Sequence, residues 1–439
     1  MSFPRYPAYK DSGVEWLGEV PEHWEALPLR RLIRQVSSGT SVNAIDEPAS
    51  PGQAGVLKTS CVYTGKFRPE ENKAILESEL DRATCTVVAG SLVVSRMNTP
   101  ELVGAAGLVK NDDPLLFLPD RLWLVSFQDC DPQFMNYWCK SVSYRSQVQL
   151  ACSGTSSSMQ NLSQDNFYSF IAPLPPTGEQ SAIATFLDRE TAKIDALISE
   201  QKRLIELLQE KRQAVISHAV TKGLNPDAPM KDSGVEWLGE VPEHWEVLPV
   251  RRCIEARNNL RTPIDVASRL EMEGDYPYYG PTGILSHMDR FMVEGKYFLI
   301  GEDGDHFLKF ERLPMSLLVL GRFNVNNHAH LLRGGPLCLT EWGALFFEHK
   351  DLQPWLIKQG IGRYKLRKEK LMEIPMTLPP LHEQLNILDA IEAQRAKSTQ
   401  AKTKCSELIE LLQERRSALI SAAVTGQIDV RGLAAEVAA

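Results

Sequence analysis

The chain has 439 residues, of which 43% are hydrophobic and 24% charged, and its formal net charge is −8 at pH 7. The negative net charge excludes a protein whose whole surface is basic and coats nucleic acid, but it does not exclude a local basic face. No apolar run approaches the roughly 18 to 20 residues that span a bilayer, and the first residues lack the apolar core of a signal peptide, so we expect a cytoplasmic protein. The cysteines form no CxxC pair, which argues against a zinc site or a disulfide framework.

The sequence repeats itself in two places. Lys10–Glu25 reads KDSGVEWLGEVPEHWE, and Lys231–Glu246 has the same residues; we call this segment the frame repeat. Each copy carries one lysine and five acidic residues, so two copies account for the whole net charge. A second repeat relates LIELLQEKRQAVISHAVTKG (204–223) to LIELLQERRSALISAAVTGQ (408–427), and the same offset relates LPPTGEQ to LPPLHEQ. The segments between these repeats are scarcely related, so we predict two similar frames that carry two dissimilar domains, here called heads.

A recent duplication followed by drift is the alternative, but it does not explain why identity is confined to the frames. The predicted domains are a frame segment (1–25), the first head (26–174), the first long helix (175–223), a linker with the second frame repeat (224–246), the second head (247–378), the second long helix (379–427) and a tail (428–439).

Both heads are predicted to mix strands and helices, which gives an α+β fold. Apolar, β-branched segments predict strands at 86–96 and 120–127 in the first head and at 296–304 and 316–321 in the second. Amphipathic patterns predict helices at 134–149 and 341–359.

After each Pro-Pro pair, apolar residues recur with spacings of three and four, which indicates a coiled-coil seam on a helix of roughly 60 to 65 Å. A single apolar seam could equally well be buried in the core of one domain. Two matched seams, each following a head, favour helices that act as a spacer and hold the heads apart. We predict that the long helices pack antiparallel, and that Lys10–Glu25 occupies, next to the second long helix, the place that Lys231–Glu246 occupies next to the first. The predicted seam residues are Leu197, Leu204, Leu208, Val215, Leu408, Leu412 and Leu419.

The sequence contains no Gly-rich dinucleotide turn, phosphate loop or nucleophile elbow, and no Asn-Pro-Pro-aromatic motif of an amino-methyltransferase. A cluster of acidic residues and histidines in the second head is only a weak candidate for a metal site, because no further residue completes a ligand set. The alternative is that these residues form hydrogen bonds within a folded loop. That cluster consists of Glu302, Asp303, Asp305, His328 and His330.

Two segments ahead of the long helices suit nucleic acid. GIGRYKLRKEK (360–370) combines cations with a tyrosine, which suits phosphate neutralisation and contact with a base edge. GTSSSMQNLS (154–163) offers hydroxyl and amide groups in the matching place. A solvated helix face and an ordinary serine-rich loop are the alternatives. The candidate DNA-contacting residues are Arg96, Thr155, Ser156, Ser157, Gln160 and Asn161 in the first head and Arg363, Tyr364, Lys365, Arg367 and Lys368 in the second.

The order of these motifs resembles the specificity subunit of type I restriction-modification systems. The resemblance covers nearly the whole chain, and SGVEWLGEVPEHWE and VNNHAHLL (325–332) extend it. It is carried mainly by PLPPTGEQSAIATFLD (173–188), KIDALISEQKRLIELLQEKRQAVISHAVT (193–221), TLPPLHEQ (377–384) and ELIELLQERRSALISAAVTG (407–426).

The resemblance implies a non-catalytic subunit whose heads each read one half of an asymmetric, bipartite DNA target, with the helices setting their separation. It also implies two adenine methyltransferase (modification) subunits and restriction/translocase subunits as partners. Those partners would hold S-adenosylmethionine, ATP and Mg, while this chain would hold no cofactor and no metal. Two other classes stay open: a coiled-coil scaffold that binds only proteins, and a self-contained DNA-modifying enzyme.

Overall fold

The computed structural model describes residues 3–156, 159–360 and 364–435. Its contacts divide the chain into two compact units, the first made of Met1–Gln201 and Glu407–Ala439 and the second of Lys202–Ser406. Each unit therefore contains one frame repeat, one head and part of each long helix. Within the described residues, no helix is both long and apolar enough to cross a membrane.

Short apolar segments form the strands of the first unit, including the two predicted ones. The segment predicted as one strand at 86–96 is divided, because Gly90, with a φ of 77°, turns the chain between two shorter strands. The strands are β1 (Tyr9–Asp11), β2 (Glu19–Pro21), β3 (Glu25–Pro28), β4 (Ile33–Ser38), β5 (Ala44–Ile45), β6 (Gly55–Leu57), β7 (Asn72–Ile75), β8 (Thr86–Val87), β9 (Leu92–Ser95), β10 (Met97–Asn98), β11 (Ala106–Leu108), β12 (Asp113–Phe117), β13 (Leu122–Phe127), β14 (Ser153–Ser156), β15 (Met159–Asn161) and β16 (Ile171–Leu174).

The first head is built on two main sheets, with strand orders β11-β9-β13-β4 and β5-β7-β6-β12-β8. A smaller sheet has the order β10-β15-β14. The frame repeat folds as the β1-β2 hairpin, and β3 pairs antiparallel with β16. The head therefore starts and ends on neighbouring strands, immediately before the long helix.

The amphipathic segment predicted as one helix at 134–149 forms two helices. The prediction was wrong because Ser141 interrupts it: its hydroxyl accepts a hydrogen bond from the Tyr144 N–H, as an N-cap does, and donates to the carbonyl of Trp138. The first long helix follows the prediction closely. The helices are α1 (Pro132–Trp138), α2 (Val142–Ala151), α3 (Gln164–Ser169) and α4 (Thr177–Lys222).

The second head has one large sheet, with the order β20-β25-β23-β24-β21-β22, in which β21 runs parallel to β24. Both predicted strands lie in it: β23 begins and ends three residues before its predicted bounds, and β24 extends four residues beyond its predicted end. As in the first unit, the frame repeat is a hairpin, β17-β18, and β19 pairs with β28 at the base of the head. The strands are β17 (Met230–Asp232), β18 (Glu240–Pro242), β19 (Glu246–Pro249), β20 (Ile254–Ala256), β21 (Tyr276–Gly280), β22 (Gly283–Met288), β23 (Val293–Gly301), β24 (Ser316–Val325), β25 (Ala329–Gly334), β26 (Ile357–Lys358), β27 (Tyr364–Lys365) and β28 (Pro375–Leu378).

The helix predicted at 341–359 ends early, at Phe347. Beyond it, the Asp351 carboxylate accepts a hydrogen bond from the Gln353 N–H, and Pro354 has no N–H to continue a helix. The second half of that prediction was therefore wrong. The helices are α5 (Val266–Glu271), α6 (Thr340–Phe347), α7 (Lys368–Glu373), α8 (Leu381–Val424) and α9 (Arg431–Ala435).

The glutamine of each LPPxxEQ motif fastens a head to its long helix. Gln180 is buried, accepts a hydrogen bond from the backbone N–H of Asp131 (2.7 Å) ahead of α1, and donates one to the carbonyl of Pro175. Gln384 does the same with the N–H of Leu339 (2.9 Å), ahead of α6. Because one side chain satisfies backbone groups on both sides, the motif fixes how each head meets its helix.

The glutamate of the same motif holds the frame repeat. Glu179 accepts hydrogen bonds from His23 (2.8 Å) and from the indole of Trp24 (3.1 Å). Glu383 pairs with His244 (2.7 Å) in the second unit. The two copies of the motif thus receive the two frame repeats through matching residues.

Within the first unit, the described parts of α4 and α8 run in opposite directions. Trp24, bonded to Glu179 at the start of α4, also lies beside Gly426 just after α8, and Asp195 pairs with Arg416 (2.9 Å) further along both helices. The predicted antiparallel arrangement is confirmed in this unit.

The second unit has the corresponding arrangement. Gly223, after the end of α4, lies against Trp245 and near Glu383 at the start of α8. One carboxylate of the head, Glu348, pairs with Arg212 on α4 (3.0 Å) and with Arg395 on α8. The frame repeats therefore occupy equivalent places, the first beside the end of α8 and the second beside the end of α4, as predicted.

The predicted seam residues differ in burial. Leu412 and Leu419 are each 8% exposed and belong to the core of the first unit. Leu208 and Val215 are half-buried, whereas the remaining seam leucines are exposed. These exposed residues are Leu197, Leu204 and Leu408.

Candidate nucleic-acid interface

Three of the predicted residues of the first head lie together. In the β10-β15 ladder, Gln160 and Asn161 sit opposite Asn98 and Met97, and the carbonyl of the preceding Arg96 accepts a hydrogen bond from Leu162. These residues therefore share one corner of the head, which a sequence separation of more than sixty residues did not reveal.

This corner contains polar atoms that no described protein group satisfies. The Nε of Arg96 and the Oδ1 of Asn161 are buried and have no hydrogen-bond partner among the described residues. The guanidinium of Arg96 lies 5.6 Å from the ring centroid of Trp123, which holds it by a cation–π contact. Unsatisfied buried polar atoms are uncommon in folded proteins, so this corner is suited to receiving a hydrogen-bonding ligand.

The rest of the first predicted segment is only partly described. The backbone of Ser153–Ser156 forms β14, whereas the side chains of Thr155 and Ser156 lie outside the described residues, as does the whole of Ser157. Those candidates stay predictions.

Two residues at this corner were missed by the sequence analysis. Asn98 is 7% exposed, and its amide donates hydrogen bonds to the hydroxyl of Tyr63 (3.0 Å) and to Ser95 (3.2 Å). Tyr63 is itself partly exposed and close to Thr59. Nothing in the sequence marks Tyr63, because it comes from a separate turn that only the fold brings here.

In the second head, Tyr364 and Lys365 form a short strand rather than part of a helix, and β27 pairs with β26. The amine of Lys365 lies 3.1 Å from a carboxylate oxygen of Glu302, whose other oxygen accepts a hydrogen bond from Arg261 (2.6 Å). Burial alone would raise the pKa of Glu302, but Arg261, His330 and Lys365 hold it below the usual value. Lys365 is therefore held in place by an ion pair.

The remaining predicted cations differ from one another. Arg367 precedes α7 and Lys368 begins it; both are exposed, and neither forms an ion pair with a described residue. Arg363 lies outside the described residues. Of the basic run, the described part thus leaves Arg367 and Lys368 available to a polyanion.

The histidines of the acidic cluster form hydrogen bonds within the head. His330 is 1% exposed; its Nε2 donates to the carbonyl of Leu366 (2.9 Å), and its Nδ1 accepts from the amide of Asn258 (3.0 Å). Burial lowers the pKa of His330, which favours this neutral ring. His328 pairs with Asp303 (2.8 Å). Within the described residues, no group of three or more such side chains is placed to hold a metal ion.

Arginines outside the predicted run were also missed. Arg261 donates to Glu302 and to two backbone carbonyls, while Arg257 and Arg333 share the carboxylate of Glu255. Their positions in RNNLR and LLRGG carry no periodic signal. The pairing of β20 with β25 places Arg333 opposite Glu255, and Arg257 follows directly after β20.

Parts of the chain are similar to known proteins. Residues 242–411 match the family model of the Type I restriction modification DNA specificity domain. The chain is 32% identical over 167 residues to a type I restriction enzyme specificity subunit of Haemophilus influenzae, and 29% identical over 175 residues to the EcoEI specificity subunit of Escherichia coli. These matches span 38% and 39% of this chain, but only 39% and 29% of the relatives' lengths.

Solved structures agree with this result at the level of the fold. The chain superposes on a chain from a study of complex assembly in the type I R-M system with a TM-score of 0.63, at 15% identity, covering 92% of this chain and 98% of the other. For the HsdS subunit from Thermoanaerobacter tengcongensis the TM-score is 0.52, also at 15% identity, with coverage of 93% and 98%. The predicted α+β heads with two long helices are therefore confirmed, and over the matched segments the chain is similar to type I restriction-modification specificity subunits.

Proposed function

We propose that this chain is the non-catalytic DNA sequence-recognition subunit of a type I restriction-modification complex, acting in the cytoplasm. Each head would read one half of an asymmetric, bipartite target. The observation that carries the proposal is the duplicated junction: Gln180 and Gln384 fasten two unlike heads to two like helices in the same way. Two dissimilar heads on two similar junctions suit a DNA target whose two halves differ in sequence and are separated by bases that the protein does not read.

The corner around Arg96 and Asn161 is the proposed reading surface of the first head. Unpaired donors and acceptors there can meet base edges or phosphates, and Gln160 adds an amide. In the second head we propose that Arg367 and Lys368 neutralise phosphates, with Arg363 and Tyr364 closer to the bases. The net charge of the whole chain does not oppose this, because the frame repeats carry the acidic excess.

The proposed partners are two modification subunits and the restriction/translocase subunits. S-adenosylmethionine, ATP and Mg would be bound by those partners rather than by this chain. The exposed seam leucines, among them Leu197 and Leu204, are candidates for covering by a partner.

A head exchange tests the proposal. Residues 247–378 are replaced by the matching segment of a relative with another target, and the methylated sites of the assembled complex are mapped. We expect only one half of the target to change, with the gap length kept, because the frames and helices are untouched. Exchange of residues 26–174 is the matched control and should change the other half. A change in both halves, or in neither, would contradict the assignment of one head to one half-site.

A further inference from the structure

The corner around Arg96 and Asn161 in the first head is built by three backbone segments. Just after β9, the N–H of Arg96 donates to the carbonyl of Arg121 (3.0 Å), which precedes β13. The carbonyl of Arg96 accepts from the N–H of Leu162 (2.8 Å), which follows β15. Its guanidinium is directed at Trp123, the second residue of β13, and its buried Nε has no hydrogen-bond partner among the described residues. Two backbone hydrogen bonds thus fix the residue that carries the unsatisfied donor.

The second head has the same backbone pattern in a different sequence. Just after β23, the N–H of Glu302 donates to the carbonyl of His328 (2.7 Å), which precedes β25. The carbonyl of Glu302 accepts from the N–H of Leu366 (2.8 Å), which follows β27. The carboxylate of Glu302 is directed at His330 (3.8 Å), again the second residue of its strand. Glu302 therefore occupies in this head the position that Arg96 occupies in the first.

The charge at this position is inverted and already neutralised. Arg261 and Lys365 both pair with Glu302, at 2.6 and 3.1 Å, so its carboxylate is not available to a ligand. Two cations beside one carboxylate make the position locally positive, which favours a further negative group next to it. The side chains that can meet a ligand at this corner are therefore the neighbours of Glu302.

The neighbours with exposed polar atoms are Asp303 and His328. Their side chains are 38% and 51% exposed, and the Nδ1 of His328 donates to the Asp303 carboxylate (2.8 Å). An imidazole that donates from Nδ1 leaves its Nε2 as an acceptor when the ring is neutral. The N–H of His328 donates to the side chain of Asn326 (2.9 Å), which is buried, so the loop is fixed from inside the head. The pair therefore presents hydrogen-bond acceptors.

We propose that Asp303 accepts a hydrogen bond from the N4 amino group of a cytosine in the half-site of the second head, and that His328 positions the carboxylate. This inference rests on the proposed function of the chain. In the major groove, cytosine presents only this donor, whereas guanine and thymine present only acceptors and adenine presents one of each. Acceptors of the protein repel acceptors of a base, so the pair selects against guanine and thymine.

Mapping the base preference of the assembled complex tests the proposal. The target is first mapped with the unchanged chain and modification subunits of the same system, and each target base is then randomised in a DNA library whose methylated products are sequenced. We expect Asp303→Asn to lower the preference for cytosine about tenfold at one position of one half-site, because an amide can also donate to guanine or thymine. The other half-site should be read as before, which shows that the variant folds and assembles.

Asp305→Asn is the matched control. Asp305 lies two residues further along the same loop and pairs with Lys309 (2.9 Å), so its replacement should leave every base preference unchanged. Because both substitutions remove one negative charge from this loop, a general electrostatic effect on DNA binding would change both variants alike. A change confined to Asp303→Asn therefore reports a contact with one base.

His328 is tested as a positioning residue. His328→Ala removes the donor to Asp303 and should lower the preference for cytosine at the same position. His328→Gln, whose amide can still donate to the carboxylate, should keep most of that preference. Equal preferences in these two variants would overturn the positioning role.

Three results with Asp303→Asn would each overturn the proposal: unchanged preference at every position, relaxation at a position that prefers another base, or the same effect as Asp305→Asn. The proposed function would stand in these cases, because the unchanged complex would still select a bipartite target. Absence of any sequence preference in the unchanged complex would overturn the proposed function, and this inference with it.

Discussion

At the scale of single residues, the glutamate and the glutamine of each LPPxxEQ motif have different structural roles. The glutamate receives the frame repeat, and the glutamine receives the first turn of a head helix. The copies are not identical in detail: the indole of Trp24 bonds to Glu179, whereas the Nε1 of Trp245 has no partner among the described residues. The glutamine bonds, by contrast, are preserved in both units, which makes them the more direct test of the motif.

Replacing Gln180 with leucine should lower the free energy of unfolding by about 1 to 3 kcal/mol, because the partly buried N–H of Asp131 would lose its partner. Urea denaturation followed by circular dichroism measures this. Gln209→Leu, at an exposed position of the same helix, is the control and should change stability by less than about 0.5 kcal/mol. Equal effects of the two substitutions would mean that the glutamine does not fasten the head.

A buried lysine should make stability depend on alkaline pH. Burial lowers the pKa of Lys350 from 10.5 to about 8, so between these values the unfolded chain binds more protons than the folded chain. The contribution of Lys350 to the free energy of unfolding therefore rises as pH increases from about 8 to 10.5. Lys350→Met should show a smaller rise than the unchanged chain over this range. Parallel profiles from pH-dependent urea denaturation would contradict the assignment.

At the scale of secondary structure, each long helix has residues of opposite burial side by side. Leu412 is 8% exposed and packs in the core of the first unit, while the neighbouring Leu411 is 61% exposed. Replacing either of two adjacent leucines by the same residue changes helix propensity equally, and only their burial differs. Comparing the two substitutions therefore isolates the energy of packing.

Leu412→Ala should therefore cost about 2 to 5 kcal/mol, from lost burial and the cavity left behind, and Leu411→Ala less than about 0.5 kcal/mol. The midpoint of urea unfolding measures both. Equal losses would show that the packing of α8 in the first unit differs from the one described.

At the scale of the whole molecule, we propose that catalysis and DNA recognition are carried out by different subunits. The chain with S-adenosylmethionine and DNA should transfer no methyl groups, because we propose that the methyl donor binds to the modification subunits. Adding a modification subunit from the same system should restore transfer, measured with labelled methyl donor. Methylation by the chain alone would overturn the non-catalytic assignment, while the head exchange would still report on recognition.

The candidate interface was predicted in part. Arg96, Gln160 and Asn161 were identified from residue type and position, and the fold does bring them together. Tyr63 and Arg261 were not identified, because each reaches its partners through a turn or strand distant in sequence. Lys365 was identified as a candidate DNA contact, but its pairing with Glu302 was not, because that pairing depends on the contact of β27 with the end of β23.

The sequence by itself determined the architecture: the repeats gave the equivalent places of the frame hairpins, and periodicity gave the long helices nearly to the residue. These features are local or repeated, so they can be recognised from the amino-acid sequence alone. Only the tertiary structure decided which side chains of the heads meet and which buried groups lack partners. Those outcomes depend on contacts between residues that are distant in sequence, and a pattern of residue types along the chain does not reveal such contacts.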